Sequence, residues 1–173
     1  MILERDVLIT GYRTQLKDDA IALEPARFAC ERGNTLAFWA KNPDHLKSVW
    51  KWTKQYKYLL TPEAVATAKD FNIEHFAFLW HFKESKYDPY KESKNKDGST
   101  DWGMSQINDV NWDRLHAKLP EHLKTRLKPK QDPEVAVAML YLWINSRVEM
   151  KWAWAYLSPE AWTLMWRLNQ IDG

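Results

Sequence analysis

Cysteine is almost missing from this chain. Cys30 is the only one in 173 residues, so no disulfide can form within it and the fold must stand on packing. No neighbouring motif would activate that thiol, and it reads as a small buried apolar residue. Cysteine and histidine nowhere take the spacing of a zinc site, and no cofactor is expected. A strong charge of one sign is lacking too. The formal net charge of +2 is too small to imply a nucleic-acid partner and suits an anionic polymer only weakly. No stretch approaches the ~18 uncharged apolar residues that cross a bilayer, so no stable membrane insertion is expected. Met1-Ile2-Leu3-Glu4-Arg5-Asp6 carries charges where a signal peptide needs an apolar run. The expectation is a protein made in the cytosol that reaches any outside target by another exit. No repeat, low-complexity tract or flexible linker is visible.

Tryptophan, by contrast, is abundant, with 11 in the chain. Large rings bury much area, so most belong to a core. A surplus of Trp and Tyr also suits a sugar or peptide cleft, because flat rings stack on the apolar faces of pyranoses. The 45% apolar and 28% charged fractions are ordinary for a globular chain.

The pattern along the chain predicts one mainly α domain. Leu16 to Arg32 can form a helix ended by Gly33-Asn34. After Asn42-Pro43-Asp44, residues 45–60 place Leu46, Val49, Trp50, Thr53, Tyr56 and Leu60 at helical spacing, with Lys47, Lys51, Lys54 and Lys57 opposite. A solvated face explains those lysines. Thr61-Pro62-Glu63 starts a helix running to about Asp70. Another spans Glu74 to Ser85, with Phe78, Leu79 and Phe82 on one stripe. Residues 86–101 read as a loop or a small hairpin turning at Asp97-Gly98. Leu115 to Leu127 reads as helical around Pro120, and Pro129 to Gln131 as a linker. Asp132-Pro133-Glu134 opens a helix apolar nearly all round, the expected central element. Two Trp-rich helices, 148–157 and 159–168, close the chain. The expected division is an N-terminal helical extension over residues 1–60, packed on a main domain over residues 61–173.

Two acids stand out chemically. Glu84 ends the aromatic run Phe76-Ala77-Phe78-Leu79-Trp80-His81-Phe82, and Asp101 comes 17 positions later among turn formers. Breaking a glycosidic bond needs one carboxyl to protonate the leaving oxygen and another to stabilise positive charge across the ring. An apolar setting favours the neutral form of an acid, and polar donors favour the ionised form. Glu84, at a helix C-terminus where the dipole is negative, is therefore expected as the dry general acid. Asp101, among Gly98, Ser99, Thr100 and Asn108, is expected as the wet nucleophile or stabiliser. Spacing alone would leave the two as an ordinary solvated surface pair.

The residues around them carry more. Glu84-Ser85, then Asp97-Gly98-Ser99-Thr100-Asp101-Trp102-Gly103-x-x-Gln106-Ile107-Asn108, resembles the active-site region of the lysozyme superfamily. It is similar to animal c-type lysozymes, with Phe-Glu-Ser and Asp-Gly-Ser-Thr-Asp-Tyr-Gly-x-x-Gln-Ile-Asn at the same separation of acids. It is also similar to bacterial soluble lytic transglycosylases, with their Glu-Ser, Gly-Leu-Met-Gln-Ile and Tyr-Asn motifs. The likeness is specific over residues 82–108, looser over 61–84 and 132–173, and not seen over 1–60.

The resemblance implies a two-lobed, α-rich fold with a small β-hairpin that cuts the β-1,4 bond between N-acetylmuramic acid and N-acetylglucosamine. Glu84 matches the catalytic acid. Asp101 matches the second carboxylate of c-type lysozymes, which many transglycosylases lack. Ser85, Gln106 and Asn108 match positions near the sugar, and Asn169 stands where the Asn of Tyr-Asn would be, although Leu168 replaces the Tyr. Trp102 is the tryptophan expected in the cleft; Trp143 is expected in the core. His75, His81 and His116 read as structural or surface groups.

One cysteine and no signal peptide separate the chain from secreted, disulfide-rich animal lysozymes. A bacteriophage lysis enzyme or virion component fits better, and an exported bacterial effector second. The implied partner is a peptidoglycan glycan strand, and the implied state is a monomer unless the chain sits in a virion. Three readings are open: a retaining muramidase; a lytic transglycosylase, in which Glu84 is acid then base and the muramic 6-hydroxyl closes an anhydro ring; and a non-catalytic wall-binding or structural protein of the same fold.

Overall fold

The computed structural model describes residues 43–67 and 73–147. The expected helices at 16–32, 148–157 and 159–168, together with Cys30 and Asn169, lie outside the described residues. The described residues are mostly helical and carry one small antiparallel sheet.

The central element is the most apolar segment. Asp132 accepts hydrogen bonds from the Glu134 and Val135 amides through Oδ1 (2.9 and 3.2 Å) and starts a helix over Pro133–Ile144. From Val135 to Leu142 every side chain of that helix is buried. A helix apolar all round needs neighbours on all sides. Here they are helix α1 (Asp44–Gln55), the 3₁₀ turn Tyr56–Leu59, α3 (Ile73–Ser85) and α4 (Asp109–His116). Between the first and second of these helices, Thr61 Oγ1 caps the short α2 (Pro62–Thr67) by accepting from the Ala64 amide at 3.2 Å. Leu46, Val49 and Tyr56, from the segment expected to be an extension, share one core with Phe76 to Phe82 and with the central helix. The Tyr141 hydroxyl donates to the Thr53 carbonyl within it. Trp143 is half-buried against Trp80, ring centres 5.0 Å apart.

The sheet has order β1-β2-β3, with β1 Glu92–Lys94, β2 Thr100–Trp102 and β3 Ile107–Asn108. The sequence predicts a hairpin here, and a third strand two residues long completes it. The turn lies where Asp97-Gly98 places it, with Gly98 at φ +87°. The expected single helix over 115–127 is two short ones. Asn108 caps α4 by accepting from the Val110 amide at 3.0 Å, so that helix begins earlier. Pro120 interrupts the run before α5 (Glu121–Lys124), as its missing N–H and fixed φ require. Pro129–Gln131 is a 3₁₀ turn leading into the central helix α6.

Candidate active site

Glu84 sits in the last turn of α3, as the periodicity predicts. The chain leaves that helix through a tightly shaped turn. Lys86 and Tyr87 both take left-handed backbone, φ 54° and 65°, which non-glycine residues seldom adopt. Tyr87 is fully buried and holds the turn: its hydroxyl donates to the Phe78 carbonyl (3.1 Å), and its own carbonyl is 2.7 Å from His45 Nε2. The Lys91 ammonium donates to the Glu84 carbonyl at 2.6 Å, satisfying a helix-end acceptor.

Ser85 is buried, and its hydroxyl donates toward the carbonyls of His81 (3.0 Å) and Met104 (2.7 Å). It therefore stitches the end of α3 to the Gly103–Gln106 turn and does not line an open surface. Two more bonds make the same junction. The Trp80 indole donates to the Ser105 carbonyl at 3.0 Å, and His81 Nδ1 lies 3.2 Å from Ser105 Oγ. That hydroxyl donates to the Ala136 carbonyl of α6 at 2.6 Å, so it can only accept from the imidazole, which assigns the proton to Nδ1. Nε2 of His81 is then a buried acceptor with no partner among the described residues. Burial holds His81 neutral, its pKa lowered to about 3, and holds His45 at about 4.

Asp101 stands on the middle strand. Its cross-strand partners are Ser93 and Asn108, which share its side of the sheet. Asn108 Nδ2 donates to Asp101 Oδ1 at 2.7 Å and to Ser99 Oγ at 3.0 Å. Ser99 in turn donates to Asp97 at 2.6 Å, and that hydroxyl holds the Asp97 carboxyl below the usual carboxylate range. Gln106, at φ 56°, accepts from the Ser93 hydroxyl and donates to the carbonyls of Gly103 (2.8 Å) and Lys91 (3.1 Å). Asp101, Ser93, Asn108, Ser99 and Gln106 thus form one polar surface. Ser93 escapes a reading of the sequence by motif; strand alternation about the Asp97-Gly98 turn is the signal that could find it.

Two expectations about this site change. Glu84 and Asp101 are both half-buried, so exposure does not separate a dry acid from a wet one. Trp102 does not share Asp101's face. Side chains alternate along a strand, and Trp102 pairs with Glu92 and Ile107 on the other side. Its indole N–H donates to Asp109, and that bond, the Thr100 amide and the Lys130 ammonium keep the Asp109 carboxyl below its ordinary range. There the ring borders a cavity of about 480 Å³ behind the sheet.

Among the described residues no group of three or more metal-binding side chains comes together, and no helix is long and apolar enough to cross a membrane. Compared with protein-family models, with curated proteins and with solved structures, the chain finds no match.

Proposed function

We propose that the chain is a peptidoglycan-cleaving glycosidase of lysozyme-like fold, in which Glu84 is the general acid and Asp101 the nucleophile or charge stabiliser. The observation that carries this reading is that the residue next to Glu84 is bonded to the turn Gly103–Gln106, which Asp101 and its partner Asn108 flank. Ser85, next to Glu84, is bonded to the Met104 carbonyl. Asp101 lies two residues before the turn and is gripped by Asn108 two residues after it. Left-handed non-glycine residues flank both acids, at Lys86 and Tyr87 on one side and Gln106 on the other. Strained backbone of this kind, at roughly 1–3 kcal/mol each, persists where the surroundings over-determine it and is concentrated at working sites.

In the proposed reaction the Glu84 proton goes to the leaving oxygen as the glycosidic C–O bond breaks. The Asp101 carboxylate meets the anomeric carbon from the other face of the ring. Water then attacks that carbon, returns a proton to Glu84 and releases Asp101. Asn108 orients the attacking carboxylate, while Ser85 and Gln106 are positioning residues that hold the turn.

Glu84→Gln tests the proposal. It keeps the shape and removes the proton, so clearing of a cell-wall suspension should fall about 10²- to 10⁴-fold while wall binding persists. A wild-type chain that binds walls without clearing them would instead make this a wall-binding protein. Mass spectrometry of the digest reads the reaction type: reducing ends support hydrolysis, and mainly 1,6-anhydro ends mean transglycosylation with Glu84 as acid and base.

A further inference from the structure

The turn that follows Glu84 is held from a helix that the motif does not reach. His45 lies in the first turn of α1, outside the stretch that carries the lysozyme resemblance, and is buried. Its Nε2 is 2.7 Å from the Tyr87 carbonyl oxygen. A carbonyl only accepts, so Nε2 carries the proton and His45 is the donor. Tyr87 is fixed at its other polar atoms too. Its amide donates back to the His81 carbonyl at 3.2 Å, and its hydroxyl to the Phe78 carbonyl at 3.1 Å. Its ring packs against Phe78 and Phe82, with centres 5.1 and 6.0 Å away.

This anchor bears on Glu84 because the backbone beside it is unfavourable. Lys86 and Tyr87 are consecutive left-handed residues that carry side chains, a conformation that the surroundings must impose. Glu84 stands two residues before Lys86, and the Lys86 amide still donates into α3, to the Phe82 carbonyl at 2.9 Å. Relaxing the turn toward ordinary φ would therefore rotate the last turn of α3, which carries the Glu84 side chain. The support is firm, because α1 is itself fixed to its neighbours. The Trp50 ring meets Phe78 edge-on at 5.4 Å, and the Tyr141 hydroxyl of α6 donates to the Thr53 carbonyl. We infer that His45 is a positioning residue that fixes the direction of the Glu84 carboxyl through the Tyr87 carbonyl. Its effect on rate rests on the proposed catalytic role of Glu84; its effect on geometry does not.

Variants of the full chain test this. His45→Leu fills the space and cannot donate. His45→Gln keeps an amide N–H near the position of Nε2. Val49→Ala, a control in the same helix, removes buried packing and leaves the His45 bond in place. All are assayed at a temperature where circular dichroism shows them folded. In His45→Leu, kcat for clearing a cell-wall suspension should fall about tenfold or more with KM little changed, as when a reacting group is misaimed. His45→Gln should restore kcat, and Val49→Ala should match the wild type. The NMR signal of the Glu84 carboxyl carbon is a readout that needs no catalysis. It should shift in His45→Leu and return in His45→Gln. An unmoved Glu84 signal in His45→Leu would overturn the inference, and so would a Val49→Ala kcat as low as that of His45→Leu. Should His45→Leu not fold, His45→Asn, whose amide stops short of the Tyr87 carbonyl, takes its place under the same outcomes. A wild type that clears no walls sinks the glycosidase reading, and the carboxyl signal alone then decides whether His45 positions Glu84.

Discussion

The two acids stand on supports of opposite character. Glu84 ends a helix whose junction is dry: Trp80, His81, Ser85, Met104 and Ser105 are all buried, and their hydrogen bonds cross from α3 to the turn to α6. Asp101 is held by a surface network in which Asn95, Asp97 and Ser99 hydrogen-bond beside the sheet. Buried hydrogen bonds have no water to replace a lost partner, while surface ones do. The first support should therefore fail as a unit of the fold, and the second should fail locally. In the proposed glycosidase one acid would rest on a buried support and the other on a surface one.

Acid gives the largest break in that comparison. The unfolded chain protonates its histidines near pH 6.5, whereas the fold keeps His45 and His81 neutral down to about 4 and about 3. The unfolded state therefore binds more protons below pH 6.5. Stability is fully present above that value and is lost as the pH falls toward 4, by on the order of 5 kcal/mol from the two together. Urea unfolding at pH 7.5 and at pH 5 measures this; equal stabilities would refute it. His45→Gln should flatten the pH slope, which separates the histidine part from that of carboxylates.

Ser105→Ala comes next. It strips the acceptor from His81 Nδ1–H and the donor from the Ala136 carbonyl, both in the interior. A loss of about 1–3 kcal/mol is expected, read from the urea midpoint at pH 7.5. A loss near zero would mean that water enters the junction.

Asn108→Ala has the smallest effect on stability, about 1 kcal/mol, because it removes one helix cap at the surface. Its effect should show in catalysis, as a fall in kcat of about tenfold or more with KM little changed, since Asp101 loses its orienting donor. Asn108→Ser sharpens the contrast: its hydroxyl keeps an N-cap acceptor for the start of α4, while the amide N–H that holds Asp101 is lost, so stability is largely retained while kcat falls. Equal losses of stability in both variants would undo the separation.

The dry half is legible in outline and hidden in detail. Asp132-Pro133-Glu134 and the unbroken apolar run announce the central helix, and the aromatic run announces α3. Nothing in a one-dimensional pattern announces that His81 meets Ser105, 24 positions away, since that depends on how two helices and a turn pack. The wet half is legible as residues rather than as a surface. The motif points to Asp101 and Asn108, and Asp97-Gly98 places the turn. β3 is too short for an alternating pattern to register. Adjacency in sequence makes Trp102 look like Asp101's companion, but in a strand adjacency means opposite faces. Glu84 is less buried than its aromatic neighbours suggest for a similar reason: the last turn of a helix can bury Phe82 and Ser85 and leave Glu84 only partly buried.

Asn108 has a further consequence. Its two amide atoms point at groups of opposite sign, the oxygen at the Val110 N–H and the nitrogen at the Asp101 carboxylate. Turning that amide over would set oxygen against oxygen at the strand and N–H against N–H at the helix. The side chain is therefore a polarised connector with one permitted direction. The start of α4 and the aim of the Asp101 carboxylate are two readings of the same fixed dipole.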